Sequence, residues 1–283
     1  MGIGNQIKTV ALLGILSALL IGAGSFFGQQ GIIIGFVFAI LMNFGSYYFS
    51  DKLVLRMYKA QEVSRKDHPD LYNTVQDVSQ IAKIPMPKVY IIPSENPNAF
   101  ATGRNPKHAA VACTDGILQL LTKSELKGVV AHEIGHIKNR DILIATIAAT
   151  IASVISYIAM MARWGAIFGG FGGRNRDGGN IIELLFLAIL TPLIATIIQL
   201  AISRSREFLA DETSARLTHQ PYELASALQK ISGGVKHNPL RFGSKSTASL
   251  FIMNPFSGRG FIKLFSTHPP MEERVKRLRS LKI

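Results

Sequence analysis

The sequence predicts a mainly α-helical membrane protein, with helical hairpins in a bilayer joined to an α+β soluble part that carries a short sheet. Three observations predict it. Hydrophobic residues make up 48% of the 283, and they collect in long uncharged runs of the length a bilayer span requires. The charges gather between those runs, with 31 Lys and Arg against 18 Asp and Glu, a net +13. The charged stretches in turn mix helical apolar spacing with short β-type runs. Mean hydropathy is +0.25. Four sections follow: an N-terminal hairpin (1–50), a soluble part (51–141), a second hydrophobic helix pair with a Gly-rich connection (142–203), and a C-terminal soluble part (204–283).

The first hairpin rests on Val10 to Gly28 and Gly31 to Phe49, both without charge and joined through Gly28-Gln29-Gln30-Gly31. Lys8 and the small residues from Gly22 to Ser25 fit a cleaved leader as well, but a second apolar run follows at once, so a hairpin is the better reading. Met1-Gly2 lacks the Ser or Thr at position 6 that myristoylation needs. The hairpin connection has no Lys or Arg, whereas Lys52, Arg56, Lys59, Arg65, Lys66, Lys83 and Lys88 follow it. Excess positive charge marks the cytoplasmic side, so the segment from Asp51 to Asp141 is expected there. The second pair comprises Ile142 to Ala162 and Leu184 to Ser203. Spanning is the better reading for this pair, with a buried helix pair as the alternative, although its connection, amid seven glycines, carries Arg163, Arg174 and Arg176, which weakly opposes an outward position.

The basic balance also suits a nucleic-acid partner, but cytoplasmic loops and anionic lipid account for it better, and no nucleic-acid role is expected. A lone cysteine, Cys113, excludes an intramolecular disulfide and a Cys-based metal cluster.

Within the soluble part, Leu71, Val75, Val78 and Ile81 recur on one face, giving a helix from Leu71 to Ala82. Pro85 and Pro87 break the chain before strands at Val89 to Ile92, Ala99 to Ala101 and Ala109 to Cys113. Thr122 followed by Glu125 is a capping box, and a helix is expected from there through Ile137, running on into the third apolar run. The fourth run likewise continues as a helix through Arg204 to Leu217.

That capped helix carries His132-Glu133-Ile134-Gly135-His136. Residues four apart share a helix face, so both imidazoles can address one zinc ion, while Glu133 reaches a metal-bound water without being a ligand itself. With 7 His and 10 Glu in the chain, one such pattern arises by chance on the order of 0.006 times. A catalytic zinc takes a third protein ligand. His219, His237, His268 and the downstream carboxylates are the candidates. Glu207 and Asp211 stand out, four apart on an expected helix, where one carboxylate can bind zinc and the other can orient a ligand histidine. A plain helix surface gives the same spacing.

Taken together, these segments resemble the HtpX family of membrane-bound metallopeptidases, within the broader gluzincin group. Asn98-Ala99-Phe100-Ala101-Thr102-Gly103, the His-Glu-x-x-His helix, Ser203-Arg204-Ser205-Arg206-Glu207-Phe208-Leu209-Ala210-Asp211 and Ser266-Thr267-His268-Pro269-Pro270 stand in family order over nearly the whole chain. The resemblance implies a gluzincin-type soluble domain and one Zn2+ per chain, bound by His132, His136 and Glu207. It implies Glu133 as general base and Asp211 as partner of a ligand histidine. It also implies Asn98, Ala99, Phe100 and Ala101 as a substrate-binding edge strand, and His268 as an aid to the oxyanion. An edge strand can hold an extended peptide by main-chain bonds. His268 is read equally well as a helix-entry residue before Pro269.

The expected activity is zinc-dependent hydrolysis of peptide bonds, with Glu133 moving the proton of the attacking water. The resemblance further implies misfolded or damaged membrane proteins as substrates, in a bacterial-type inner membrane, and a cytoplasmic site beside the bilayer is compatible with that and with self-cleavage. Three rival readings fit the sequence less well. An intramembrane site conflicts with Lys127, Lys138, Asn139, Arg140 and Asp141 beside the motif, which are costly to bury. A prenyl-protein-type endopeptidase shares the site motifs, but its chains are longer. A non-proteolytic zinc-binding scaffold has no use for Glu133.

Overall fold

The computed structural model describes residues 3–25, 28–152, 204–240, 242–243, 245–256 and 269–282. The expectations for Leu184 to Ser203, for the Gly-rich connection, for the end of the third apolar run and for His268 fall outside these residues. Two helices open the chain, α1 (Ile3–Ser25) and α2 (Gly28–Met57). They form a hairpin by close approach. Gly35 makes room for it, because a Cβ there would sit 2.6 Å from the Leu20 carbonyl oxygen. Asn43 of α2 donates its side-chain amide to Ser17 of α1 at 2.8 Å. Both helices are longer than expected, and α2 runs past Phe49 through Asp51, Lys52 and Arg56 to Met57. By length and composition α2 can cross a membrane. Ile33, Phe36, Phe38, Leu41 and Phe44 stand exposed along it, a face suited to lipid.

A short strand β1 (Gln61–Glu62) precedes helix α3 (Pro69–Ala82). Pro69 begins α3, where a missing N–H costs nothing, and Lys83 ends it in the left-handed conformation at φ 57°. Leu71, Val75 and Val78 lie buried on one face, as the spacing predicted, but the fourth expected residue, Ile81, is 47% exposed and Ala82 completes the buried face instead. Strands β2 (Lys88–Ile92), β3 (Ala99–Gly103) and β4 (Ala109–Thr114) follow. The sheet order is β1-β2-β4-β3. β2 and β4 run parallel, while β3 is antiparallel to β4 and ends the sheet. All three expected strands are present. β1 and the short helix α4 (Asp115–Leu120) had not been expected.

Helix α5 (Lys123–Asn139) begins at the expected capping box, Thr122 and Glu125 each bonding the other's main chain. The expectation that it continues into the third apolar run is corrected. Arg140 adopts the left-handed conformation at φ 61°, its N–H turning back to the His136 and Ile137 carbonyls. A separate apolar helix, α6 (Ile142–Ala152), starts two residues later. No Gly or Pro announces this break. Leu143, Ile144, Ile147 and Ile151 of α6 pack on Leu12 and Leu16 of α1. Beyond the undescribed stretch come α7 (Arg204–Thr218), α8 (Pro221–His237) and α9 (Met271–Ser280). The main core gathers β2 to β4 and α3 around α5, whose Val129, Val130, Ile134 and Ile137 are inaccessible to solvent.

Candidate metal centre

Two helices build the centre. α5 presents His132, Glu133 and His136, and α7 crosses it to present Glu207 and Asp211. The crossing is close at Gly135. A Cβ at that position would stand 3.3 Å from the Thr213 Cβ and 3.4 Å from the Ala210 Cα and carbonyl oxygen of α7. Ser214 fastens the pair further, donating to the Gly128 carbonyl at 2.8 Å.

His132 and His136 stack edge to face, ring centroids 4.7 Å apart. Their Nε2 atoms face each other at 3.2 Å. Glu207 closes the triangle, with one oxygen 3.7 Å from His132 Nε2 and the other 3.5 Å from His136 Nε2. One donor atom from each residue lies within 4.8 Å of the others.

Whether this set fits a metal can be tested on its tautomers. His132 Nδ1 lies 2.9 Å from Asp211 Oδ1, and His136 Nδ1 lies 3.0 Å from Asp141 Oδ2. A carboxylate only accepts, so each Nδ1 is the donor, and in neutral imidazoles both Nε2 atoms are then acceptors. Two lone pairs and a carboxylate aimed at one point repel unless a proton or a metal cation lies between them. Zinc-type bonds of about 2.0–2.2 Å give tetrahedral edges of roughly 3.3–3.6 Å, close to the spacings present. The residues fit a divalent cation of the zinc class.

Three buried charges support the triangle. Arg274 of α9, inaccessible to solvent, donates Nε to Asp211 Oδ2 at 2.9 Å and Nη2 to Asp211 Oδ1 at 2.7 Å. Its Nη1 lies 3.6 Å from Glu207. Burial alone would raise the Asp211 carboxyl, but the Arg274 charge and the bonds from Arg274 and His132 hold it down at about 2. Burial lowers His132. At His136 burial acts the same way, yet the Asp141 bond and the charge of Glu207 prevail and raise the imidazole to about 9. Glu133 sits in the wall of the same cavity. Burial first of all pushes its carboxyl up to about 7, aided by the Glu207 charge and opposed by His136, the Ala101 main chain and Arg274.

The structure thus brings together five of the residues singled out from sequence: His132, Glu133, His136, Glu207 and Asp211. Asn98, Ala99, Phe100 and Ala101 lie alongside, Ala101 lining the cavity, though all four are buried. Two participants were missed. Asp141 had been read only as a charge keeping the motif out of the bilayer. Arg274 had not been singled out, although it shares the helix face of Leu278, and a cation on an apolar face is a signal.

Comparison with known proteins adds relatives to the geometry. The family model for peptidase family M48 matches residues 65–282. The chain is 53% identical over 283 residues to a protein named Protease HtpX homolog from Syntrophobacter fumaroxidans, covering 98% of this chain and 100% of the relative. It is 52% identical over 282 residues to the protein of the same name from Pyrococcus furiosus, covering 99% and 97%. In fold it is similar to the crystal structure of S. mikatae Ste24p, with a TM-score of 0.52 at 19% identity over 96% of this chain and 65% of that one.

Proposed function

Because the chain belongs to peptidase family M48 and is an HtpX-type metallopeptidase, we propose that it is a membrane-bound zinc endopeptidase that cuts extended segments of membrane proteins at the cytoplasmic face. The observation that carries this reading is the convergence of His132, His136 and Glu207 donor atoms within 4.8 Å, with Glu133 in the same cavity wall.

In this reading His132, His136 and Glu207 hold the ion. When bound, zinc supplies Lewis-acid polarisation of a carbonyl and a water acidic enough to ionise near neutral pH. Glu133 takes a proton from the attacking water and passes it to the leaving amine. Asp211 and Asp141 keep the two imidazoles in the tautomer that leaves Nε2 free to coordinate. The peptide lies along Asn98 to Ala101 as an added strand. His268 is assigned to the oxyanion on the family resemblance.

Membrane residence is supported by the length and apolar character of α2. The cytoplasmic orientation follows from the Lys and Arg residues that succeed the hairpin. A site close to such a membrane suits removal of damaged membrane proteins, and self-cleavage, in the cytoplasmic membrane of a prokaryote. The test is cleavage of β-casein by the purified, zinc-loaded, full-length protein in detergent, beside Glu133→Gln. Wild type cuts casein and Glu133→Gln retains zinc without cutting. Equal cleavage by both proteins would reject the role of Glu133, and none by the zinc-loaded wild type would reject the peptidase reading.

A further inference from the structure

Among the described residues strand β3 ends the sheet, so one row of its main-chain groups has no described strand beside it, yet every residue of β3 is buried. The chain itself covers that edge. Ile252 donates its N–H to the Ala99 carbonyl at 3.0 Å. The Asn98 side chain brackets the next residue, its Nδ2 donating to the Met253 carbonyl at 2.7 Å and its Oδ1 accepting the Met253 N–H at 3.3 Å. An edge carbonyl taken by one residue, with an amide side chain meeting both main-chain groups of the next, is how an extended peptide is held on a sheet edge.

The covering segment is anchored on three sides. Arg274 donates Nη1 to the Ile252 carbonyl at 3.3 Å, the same guanidinium that grips Asp211. The Phe251 ring packs edge to face on Phe100 at 5.0 Å and on Tyr58 at 4.8 Å. Tyr58 also hydrogen-bonds Thr247. Ser249, Leu250, Phe251 and Ile252 line one half-open pocket with His132, Glu133 and His136, and its volume is ≈ 40 Å³. That holds a few waters but no peptide.

We infer that Asn98 and Ala99 form a peptide main-chain subsite, that Ile252 and Met253 are its resident occupant, and that a substrate segment enters by displacing them. The inference rests on the peptidase reading above and adds what lies in the peptide's path. An incoming main chain can replace the bonds of Ile252 and Met253 in kind, so the exchange hardly changes the hydrogen-bond count. The opposing term is the packing of Phe251. The competent form is then a minor one, and apparent affinity is reduced by its fraction.

Hydrogen exchange tests this on zinc-loaded, full-length Glu133→Gln in detergent, with β-casein added to saturation as read by anisotropy of labelled casein. The Ile252 and Met253 amides, protected in the free protein, lose protection when casein binds, while the α8 amides do not change. Persistent protection at saturation overturns the inference. Thr247→Val, remote from the metal, supplies a second measurement. It should lower the KM for casein about fivefold with kcat little changed, the population shift expected from one lost hydrogen bond. An unchanged or raised KM, with wild-type melting behaviour, counts against displacement. If the wild type shows no Glu133-dependent cleavage, the peptidase reading fails and displacement goes with it. Cleavage alongside lasting protection of Ile252 defeats the displacement inference alone.

Discussion

Arg274 holds both oxygens of Asp211, through Nε at 2.9 Å and Nη2 at 2.7 Å, with neither side chain more than 3% exposed. Asp211 in turn meets His132 Nδ1 at 2.9 Å, so a guanidinium on the last described helix sets the orientation of an imidazole on α5. Planar two-point pairing of this kind fixes direction as well as charge.

Arg274→Met should therefore act on the metal without touching it. It leaves Asp211 buried beside one imidazole, and breaking a buried pair costs about 3–5 kcal/mol. Loss of such a supporting contact weakens metal binding about 10–100-fold. Arg274→Lys keeps the charge but not the fork and should recover only part. Zinc affinity measured against a chelator decides the matter. A methionine variant with wild-type affinity would show that Asp211 needs no help.

The residues that were legible in the sequence are those whose signal is local. His132 and His136 repeat at one helical turn, and Thr122 with Glu125 caps the helix that carries them, so both could be read from spacing. Glu207 and Asp211 could be paired with each other by spacing, but only the crossing of α7 over α5 brings them to the histidines. Asp141 and Arg274 were opaque for a different reason. Each sits among charged or polar neighbours, Lys138, Asn139 and Arg140 around one, Glu272, Glu273, Lys276 and Arg277 around the other. What distinguishes them is burial, and burial comes from helix docking. The break after Asn139 escaped notice because Arg140, with neither the freedom of glycine nor the ring of proline, takes the left-handed conformation. The cover over β3 is a contact between residues more than 150 positions apart, which no local pattern encodes.

Gly135 lies inside the histidine motif but acts on α7. A Cβ there meets Thr213 and Ala210 at 3.3–3.4 Å, which small shifts can absorb. Gly135→Ala also gains helix propensity of about 1 kcal/mol, so its melting temperature should stay near wild type. Gly135→Leu drives further atoms into α7, with an overpacking cost of about 1–3 kcal/mol, and pushes Glu207 away from the imidazoles. Zinc content after dialysis should fall in the order wild type, Ala, Leu. A leucine variant that keeps full zinc would mean Glu207 reaches the site without close helix approach.

Glu125 links helix capping to acid stability. Its carboxylate accepts from the Thr122 N–H at 2.8 Å, from Ser226 Oγ at 2.6 Å and from Lys230 Nζ at 2.8 Å, tying α5 to α8. Burial would raise this carboxyl, but the three bonding partners outweigh it and bring it from 4.5 to about 2. A group depressed in the folded state stabilises fully above its unfolded value and loses that effect as pH falls through the folded value. The window here runs from about pH 5 down to 2. Lys230 is 40% exposed, so solvent screening trims the effect to about 1–3 kcal/mol. Glu125→Gln keeps a capping side chain but lacks the charge. It should melt several degrees below wild type at pH 7, and the gap should narrow steadily between pH 5 and 3. A gap of constant size across that range would assign the loss to shape and hydrogen bonding, with no contribution from ionisation.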